Sequence, residues 1–221
     1  MTPNIPEWIR TKEIKGYKNI FDHDMCPSES HLFGTEDLYG DWDGHVLLLA
    51  KDFGPSCLIH KRRAASQPLY VHSPSMKTNK MLKRAIEPIR SSRFSCDCGF
   101  LYGSAAVCML RDDEVVSGNL PNRSEVMRFG AKVLNDFVVP HMRNLQVIVC
   151  LGRDAWDCCA KAFGTNDDWA SLRTQDRPWT ATRSGTRLLA TKHPAFSTNS
   201  MMDQLRHTIA SLLANPILDA A

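Results

Sequence analysis

The sequence predicts an α/β protein, with three layers in an α/β/α arrangement around a central four-stranded parallel sheet. Three observations lead there. Strand-length apolar runs alternate with longer segments whose apolar residues recur at helical spacing. The runs Val46-Leu47-Leu48-Leu49-Ala50 and Val147-Ile148-Val149-Cys150-Leu151 are continuous, and Arg187-Leu188-Leu189-Ala190-Thr191 is nearly so; strands buried on both faces read this way. The first and last of these run into short polar motifs, Lys51-Asp52-Phe53-Gly54-Pro55-Ser56 and Lys192-His193-Pro194-Ala195-Phe196-Ser197. Parallel sheets build their sites at that carboxyl edge, so an acid and a histidine distant in sequence can share one crevice.

Taken in order, residues 1–44 mix proline, glycine, acids and aromatics around a weak helical stretch, Trp8–Ile14, and read as an N-terminal cover segment. Residues 45–221 read as the α/β/α domain. His45–Ala50 is the first strand, followed by a long loop, 51–76. Thr78-Asn79 opens a helix in which Met81, Leu82, Ala85, Ile86 and Ile89 share one face. Phe100–Val107 is the second strand, with Gly103, Ser104, Ala105 and Ala106 in its middle. After loop 111–122, Asn122 followed by Glu125 forms a capping signal, since their side chains can satisfy orphan N–H groups at a helix start. Pro140 should end that helix near Val139. Val147–Leu151 is the third strand, Gly152 makes a turn, and Asp154–Phe163 is a helix. A polar loop, 164–185, precedes the fourth strand at 186–191, and a final helix spans about Asn199–Leu213. Crossovers between parallel strands should be right-handed.

The 221 residues include 43% hydrophobic residues and carry a formal net charge of +3. The length suffices for one α/β domain with a core, and the charge alone proves no nucleic-acid partner. No apolar run is long enough to span a membrane, and the start lacks a basic-then-apolar signal pattern. The expected location is cytoplasmic, nucleoid-associated or, in a eukaryote, nuclear. Eight cysteines (Cys26, Cys57, Cys96, Cys98, Cys108, Cys150, Cys158 and Cys159) are expected to be reduced there. Cys96-Asp97-Cys98 and Cys158-Cys159 lack zinc-ribbon spacing, and Cys150 reads as core. The run His60-Lys61-Arg62-Arg63 is either solvated surface or a loop that meets phosphate.

Asp52-Phe53-Gly54 is not a kinase motif, because no glycine-rich loop, lysine strand or His-Arg-Asp loop precedes it. Walker, GxGxxG and HExxH patterns are also missing from the sequence. Individually, Asp52 can be a turn cap and His193 can simply bond to backbone. Their order along the chain says more. A strand running through two residues into Asp-Phe-Gly, a small-residue second strand ending in Met109-Leu110-Arg111, a Leu151-Gly152 turn with Ala155 behind it, and a last strand ending in His-Pro together resemble the uracil-DNA glycosylase superfamily, over about residues 45–213.

The resemblance implies a four-stranded parallel sheet between helices and hydrolysis of an N-glycosidic bond in DNA. That reaction creates an oxocarbenium-like sugar and an anionic base. Asp52 would orient water and stabilise the sugar cation, and His193 would donate to the departing base. Phe53 and Phe94 are placed to stack on an extruded base or to fill core. Gly54, two residues after the acid, cannot block a 5-methyl group, so the pocket would admit larger bases. Ala105 stands where many members carry a base-reading asparagine; Ser104 is either a substitute or a small core residue. Lys51 replaces the usual neighbour of the acid and can bind phosphate or pair with Asp52. Phe196 is either a wedge filling the gap left by a flipped nucleotide or packs under the last helix. Ser56, Ser197 and Thr198 would hold phosphate or cap helices, and Lys61, Arg62, Arg63 and Lys192 complete the DNA-binding set. No metal, iron–sulfur cluster or organic cofactor is expected. The expected protein is a monomer whose partner is DNA with an aberrant base, such as uracil or a related base, and not a membrane. Two other readings stay open: a non-catalytic module of the same fold that binds nucleic acid or a modified nucleotide, and an unrelated α/β enzyme acting on a small nucleotide.

Overall fold

Three strands whose residues are buried throughout organise the computed structural model, which describes residues 3–19, 41–52, 56–65, 77–91, 100–104, 109–112 and 119–215. They are β2 (Val46–Ala50), β5 (Val147–Leu151) and β7 (Arg187–Thr191). With β3 (Phe100–Ser104) and β6 (Trp179–Ala181) they form one sheet in the order β3-β2-β5-β7-β6. The first four strands are parallel and β6 joins the edge antiparallel. The sheet thus has a fifth strand beyond the four expected. Trp179-Thr180-Ala181 is too short to announce itself, and its pairing with Leu189, Leu188 and Arg187 makes it a strand.

Successive side chains on a strand point to opposite faces, and each face here has its own core. Leu47, Leu49, Ile148, Cys150, Leu188 and Ala190 face α4 (Arg123–Val133), α6 (Arg153–Phe163) and the N-terminal segment. Val46, Leu48, Ala50, Val147, Val149, Leu151 and Leu189 face α3 (Lys77–Ser91) and α8 (Asn199–Ala214). The protein is therefore a mixed α/β fold whose mostly parallel sheet is flanked by helices. The route from β2 to β3 passes through α3 on one face, and the route from β3 back to β5 passes through α4 on the other. The order in which strands are added thus reverses between β2 and β5, the position where a crevice opens in such sheets.

The N-terminal segment contributes Ile5, Ile9, Ile14 and Tyr17 to the first core. Its helix α1 is shorter than expected, Glu7–Arg10. Its strand β1 (Tyr17–Asn19) was not anticipated, nor was β4 (Met109–Arg111) as a separate strand; the two pair antiparallel, with Tyr17 opposite Arg111. The second strand, expected to reach Val107, ends at Ser104 among the described residues.

Three helical features also differ from expectation. Ser56–Ala64 is helix α2 rather than loop. It contains neither glycine nor proline, and its Leu, Lys, Arg and Ala are good helix formers. Asn122 does not cap α4: it takes a left-handed conformation (φ 41°) and its amide donates to the Lys15 carbonyl. Glu125 pairs with Lys12 at 2.9 Å. Both polar groups are drawn to the N-terminal segment. Finally, Pro140 does not stop the helix at Val139. A π-helical stretch, Leu134–Val138, widens the turn, and α5 (Val139–His141) carries the chain through the proline. The wider turn, closed by the Val139 N–H on the Leu134 carbonyl, accommodates a ring that an ordinary turn would clash with.

Leu49 is about 1% exposed and sits in β2, an interior strand of the sheet. Leu49→Ala should cost about 2–5 kcal/mol of stability, read as a lowered urea midpoint with an unchanged slope.

Candidate functional site

Asp52 follows the end of β2, Gly152 follows β5, and His193 follows β7, so three adjacent strand ends deliver them to one edge. The Asp52 carboxylate and the Lys51 ammonium are close enough to act electrostatically on the His193 imidazole. The structure therefore brings together the acid and the histidine.

The His193 ring is oriented by its own loop. Pro194 starts a 3₁₀ turn, Pro194–Phe196, and the Ala195 N–H donates to His193 Nδ1 at 3.3 Å. An Nδ1 that accepts leaves the proton of the neutral ring on Nε2 as a donor. Burial pushes the imidazole pKa below its ordinary value near 6.5; Asp52 pulls it up and Lys51 pushes it down. The burial effect is largest, and the ring is neutral at neutral pH. Ser197 is buried, and its hydroxyl donates to the His193 carbonyl at 3.2 Å. That bond ties the far end of the loop and commits the hydroxyl to the protein. Thr198 caps α8 by accepting from the Met201 N–H at 3.3 Å. Phe196 is not packed under α8: it is 78% exposed, and its ring lies 6.0 Å from that of His193.

Gly152 separates the two sides of the site. Its φ of +101° is open to glycine and strained for other residues. A Cβ built there would lie 3.6 Å from the His193 Cβ. Its N–H donates to the Thr191 carbonyl at 3.1 Å, which holds the end of β7 against the turn.

Arg111 is the residue at this edge to which sequence reasoning gave no role. It is about 1% exposed, and its Nε stands 2.9 Å from Asp52 Oδ2, the carboxylate side chain itself being 10% exposed. The contact is a charge pair rather than an aligned hydrogen bond. β4 delivers the arginine, and β1 holds β4 in place. The available signal was a cation closing the apolar run Met109-Leu110-Arg111: when such a group is buried, it needs a charged or polar partner.

Of the other predicted residues, Lys51 and Lys192 lie at the same edge as His193, both partly buried. Ser56 is buried at the start of α2, and Lys61 is exposed on that helix. Arg62 and Arg63 belong to α2, and Ser104 ends β3; the side chains of all three lie outside what is described. Phe53, Gly54, Phe94 and Ala105 fall outside the described residues. Cys150, Cys158 and Cys159 are fully buried, and burial is the main cause that pushes the thiols of Cys158 and Cys159 up. Among the described residues no helix is long and apolar enough to cross a membrane.

Two outcomes follow from this geometry. Removing Arg111 strands a poorly solvated carboxylate. Arg111→Met should cost about 3 kcal/mol in urea denaturation, and adding Asp52→Asn should recover part of it. The second outcome concerns pH. Above about 6.5, His193 is neutral in both folded and unfolded chains and adds no pH dependence. Below that value the unfolded chain takes up its proton first, so unfolding gains and stability falls as acid is added, until the folded ring also protonates. Wild type should therefore lose more stability than His193→Gln between pH 7 and pH 5, measured by urea midpoints at both values. No protein-family model matches the chain, and no curated protein matches it either.

Proposed function

We propose that this chain is a DNA glycosylase-like protein of the uracil-DNA glycosylase type, with that family's three-layer fold, hydrolysing the N-glycosidic bond of a damaged or deaminated base. The observation that carries the reading is the meeting of Asp52 with His193 at one strand edge, where burial lowers the imidazole pKa and Nδ1 accepts from the Ala195 N–H, leaving Nε2 as the donor of the neutral ring. Cleavage of a glycosidic bond builds positive charge on the sugar and negative charge on the base. A carboxylate on one side orients water and faces the sugar. A neutral imidazole on the other donates a hydrogen bond to a base carbonyl as its oxygen becomes anionic. Such a donor acts hardest where charge develops. The exposed ring of Phe196 beside His193 suits a side chain that enters the stack when a nucleotide leaves it; flipping costs a few kcal/mol, which an inserted ring offsets in part.

One observation favours a second reading. The buried Arg111 guanidinium already engages Asp52, as suits a module that binds a modified base without cleaving it.

The deciding measurement is product formation on oligonucleotides carrying uracil, hypoxanthine, xanthine or a thymine mismatch. Wild type should leave abasic sites on at least one of them, and Asp52→Asn should not. His193→Ala should slow single-turnover cleavage by about 100–1000-fold. Binding with no abasic product on any substrate supports the second reading; an unchanged rate in the His193 variant removes that residue from the chemistry.

A further inference from the structure

Two arginines reach the end of β7 by separate routes. Helix α7 (Trp169–Arg173) is pinned there, because the Trp169 indole N–H donates to the carbonyl of Thr191 at 3.3 Å. Thr191 closes β7, two positions before His193. Arg173 lays its guanidinium over the Trp169 ring, 4.9 Å from the centroid, and its Nε is buried with no hydrogen-bond partner. The second route is β6. Trp179 stands opposite Leu189, and the Ala190 N–H donates to the Pro178 carbonyl at 2.9 Å. That bond carries the pairing one residue past the strand, so Arg177 comes level with Thr191. Its guanidinium lies 3.6 Å from the centroid of Trp179.

Neither arginine forms an ion pair with a carboxylate among the described residues. The neighbouring acids are engaged elsewhere or stand apart. Asp168 caps α7, accepting from the Ser171 N–H at 2.8 Å and its hydroxyl at 3.0 Å. Asp167 accepts from the Thr165 hydroxyl at 2.9 Å. Asp176 is exposed and pairs with neither arginine. A guanidinium resting on an indole by its face keeps its terminal NH2 groups to donate, the arrangement that suits phosphate oxygens. Lys51 and Lys192 add charge at the same edge.

We propose that Arg173 and Arg177 bind backbone phosphates of the DNA strand beside the target nucleotide, on the side of the His193–Phe196 loop away from Asp52. The inference rests on the DNA reading above and extends its footprint onto α7 and the approach to β6.

Its test is the salt dependence of binding to a fluorescein-labelled duplex carrying one uracil, from 50 to 200 mM salt. Each phosphate contact contributes about 0.9 to the slope of log K against log salt on duplex DNA. Arg177→Gln and Arg173→Gln should each flatten the slope by about 0.9 and weaken binding several-fold, and the double variant should flatten it by about twice that. Arg143→Gln, exposed just before β5 at the opposite edge of the sheet, should change neither. Urea midpoints report whether each variant is folded, and Arg177→Gln alters an exposed side chain, so it keeps the test available if the Arg173 variant unfolds. A wild type that binds steeply while both single variants keep its slope overturns this inference and leaves the DNA reading standing. A wild type that does not bind the duplex overturns both.

Discussion

Burial of β2, β5 and β7 on both faces is the constraint from which the rest of the architecture follows. Each is five residues long and buried throughout. A sheet whose central strands are apolar on both sides must be covered on both sides. The chain meets that demand with α3 and α8 on one face and α4 and α6 on the other. Parallel pairing also aligns the carboxyl ends, so three loops open at one edge. Because the crossovers leave β2 and β5 toward opposite faces, their carboxyl ends mark the position where sheets of this kind open a crevice. The place of the candidate site is thus a consequence of strand burial, before any chemistry is considered.

The buried charge pair makes that edge more than a gap between loops. Moving a guanidinium and a carboxylate out of water is costly, and their attraction repays it only when they stay together. Arg111 arrives from a two-stranded ribbon whose other strand is β1, so the N-terminal segment holds one end of the pair. The same segment draws off Asn122 and Glu125, the polar residues that would otherwise have capped α4. Core contacts from Ile5, Ile9 and Ile14 anchor it. What reads in sequence as a cover is packed into the same core as the sheet and helps to position a charged group beside the acid.

The legible parts of this chain are those in which local pattern and tertiary environment agree. Continuous apolar runs reveal β2, β5 and β7, and the helical spacing of Leu82, Ala85, Ile86 and Ile89 reveals α3. The motif edge followed from those strands, and with it the meeting of Asp52 and His193. Tyr17-Lys18-Asn19 and Trp179-Thr180-Ala181 were not legible, because a three-residue strand is defined by its partner and not by its own composition. The helix Ser56–Ala64 was hidden by its charge: with few apolar residues it shows no stripe, although its backbone propensity is good. The tautomer of His193 depends on one N–H from a proline-started turn, and Arg111 depends on a pairing across some ninety positions; no periodicity encodes either one.

Chain order has a consequence for how this site comes into being. Asp52 and the β1 strand leave the ribosome early, Arg111 follows, and the imidazole arrives only with β7, which pairs with β5 on one side and with β6 on the other. Contacts this far apart in sequence are slow to form, because the intervening loop must close first. Asp52 and His193 therefore meet only once the most C-terminal strand of the sheet has paired with β5, so the candidate site depends on the whole parallel sheet being in place.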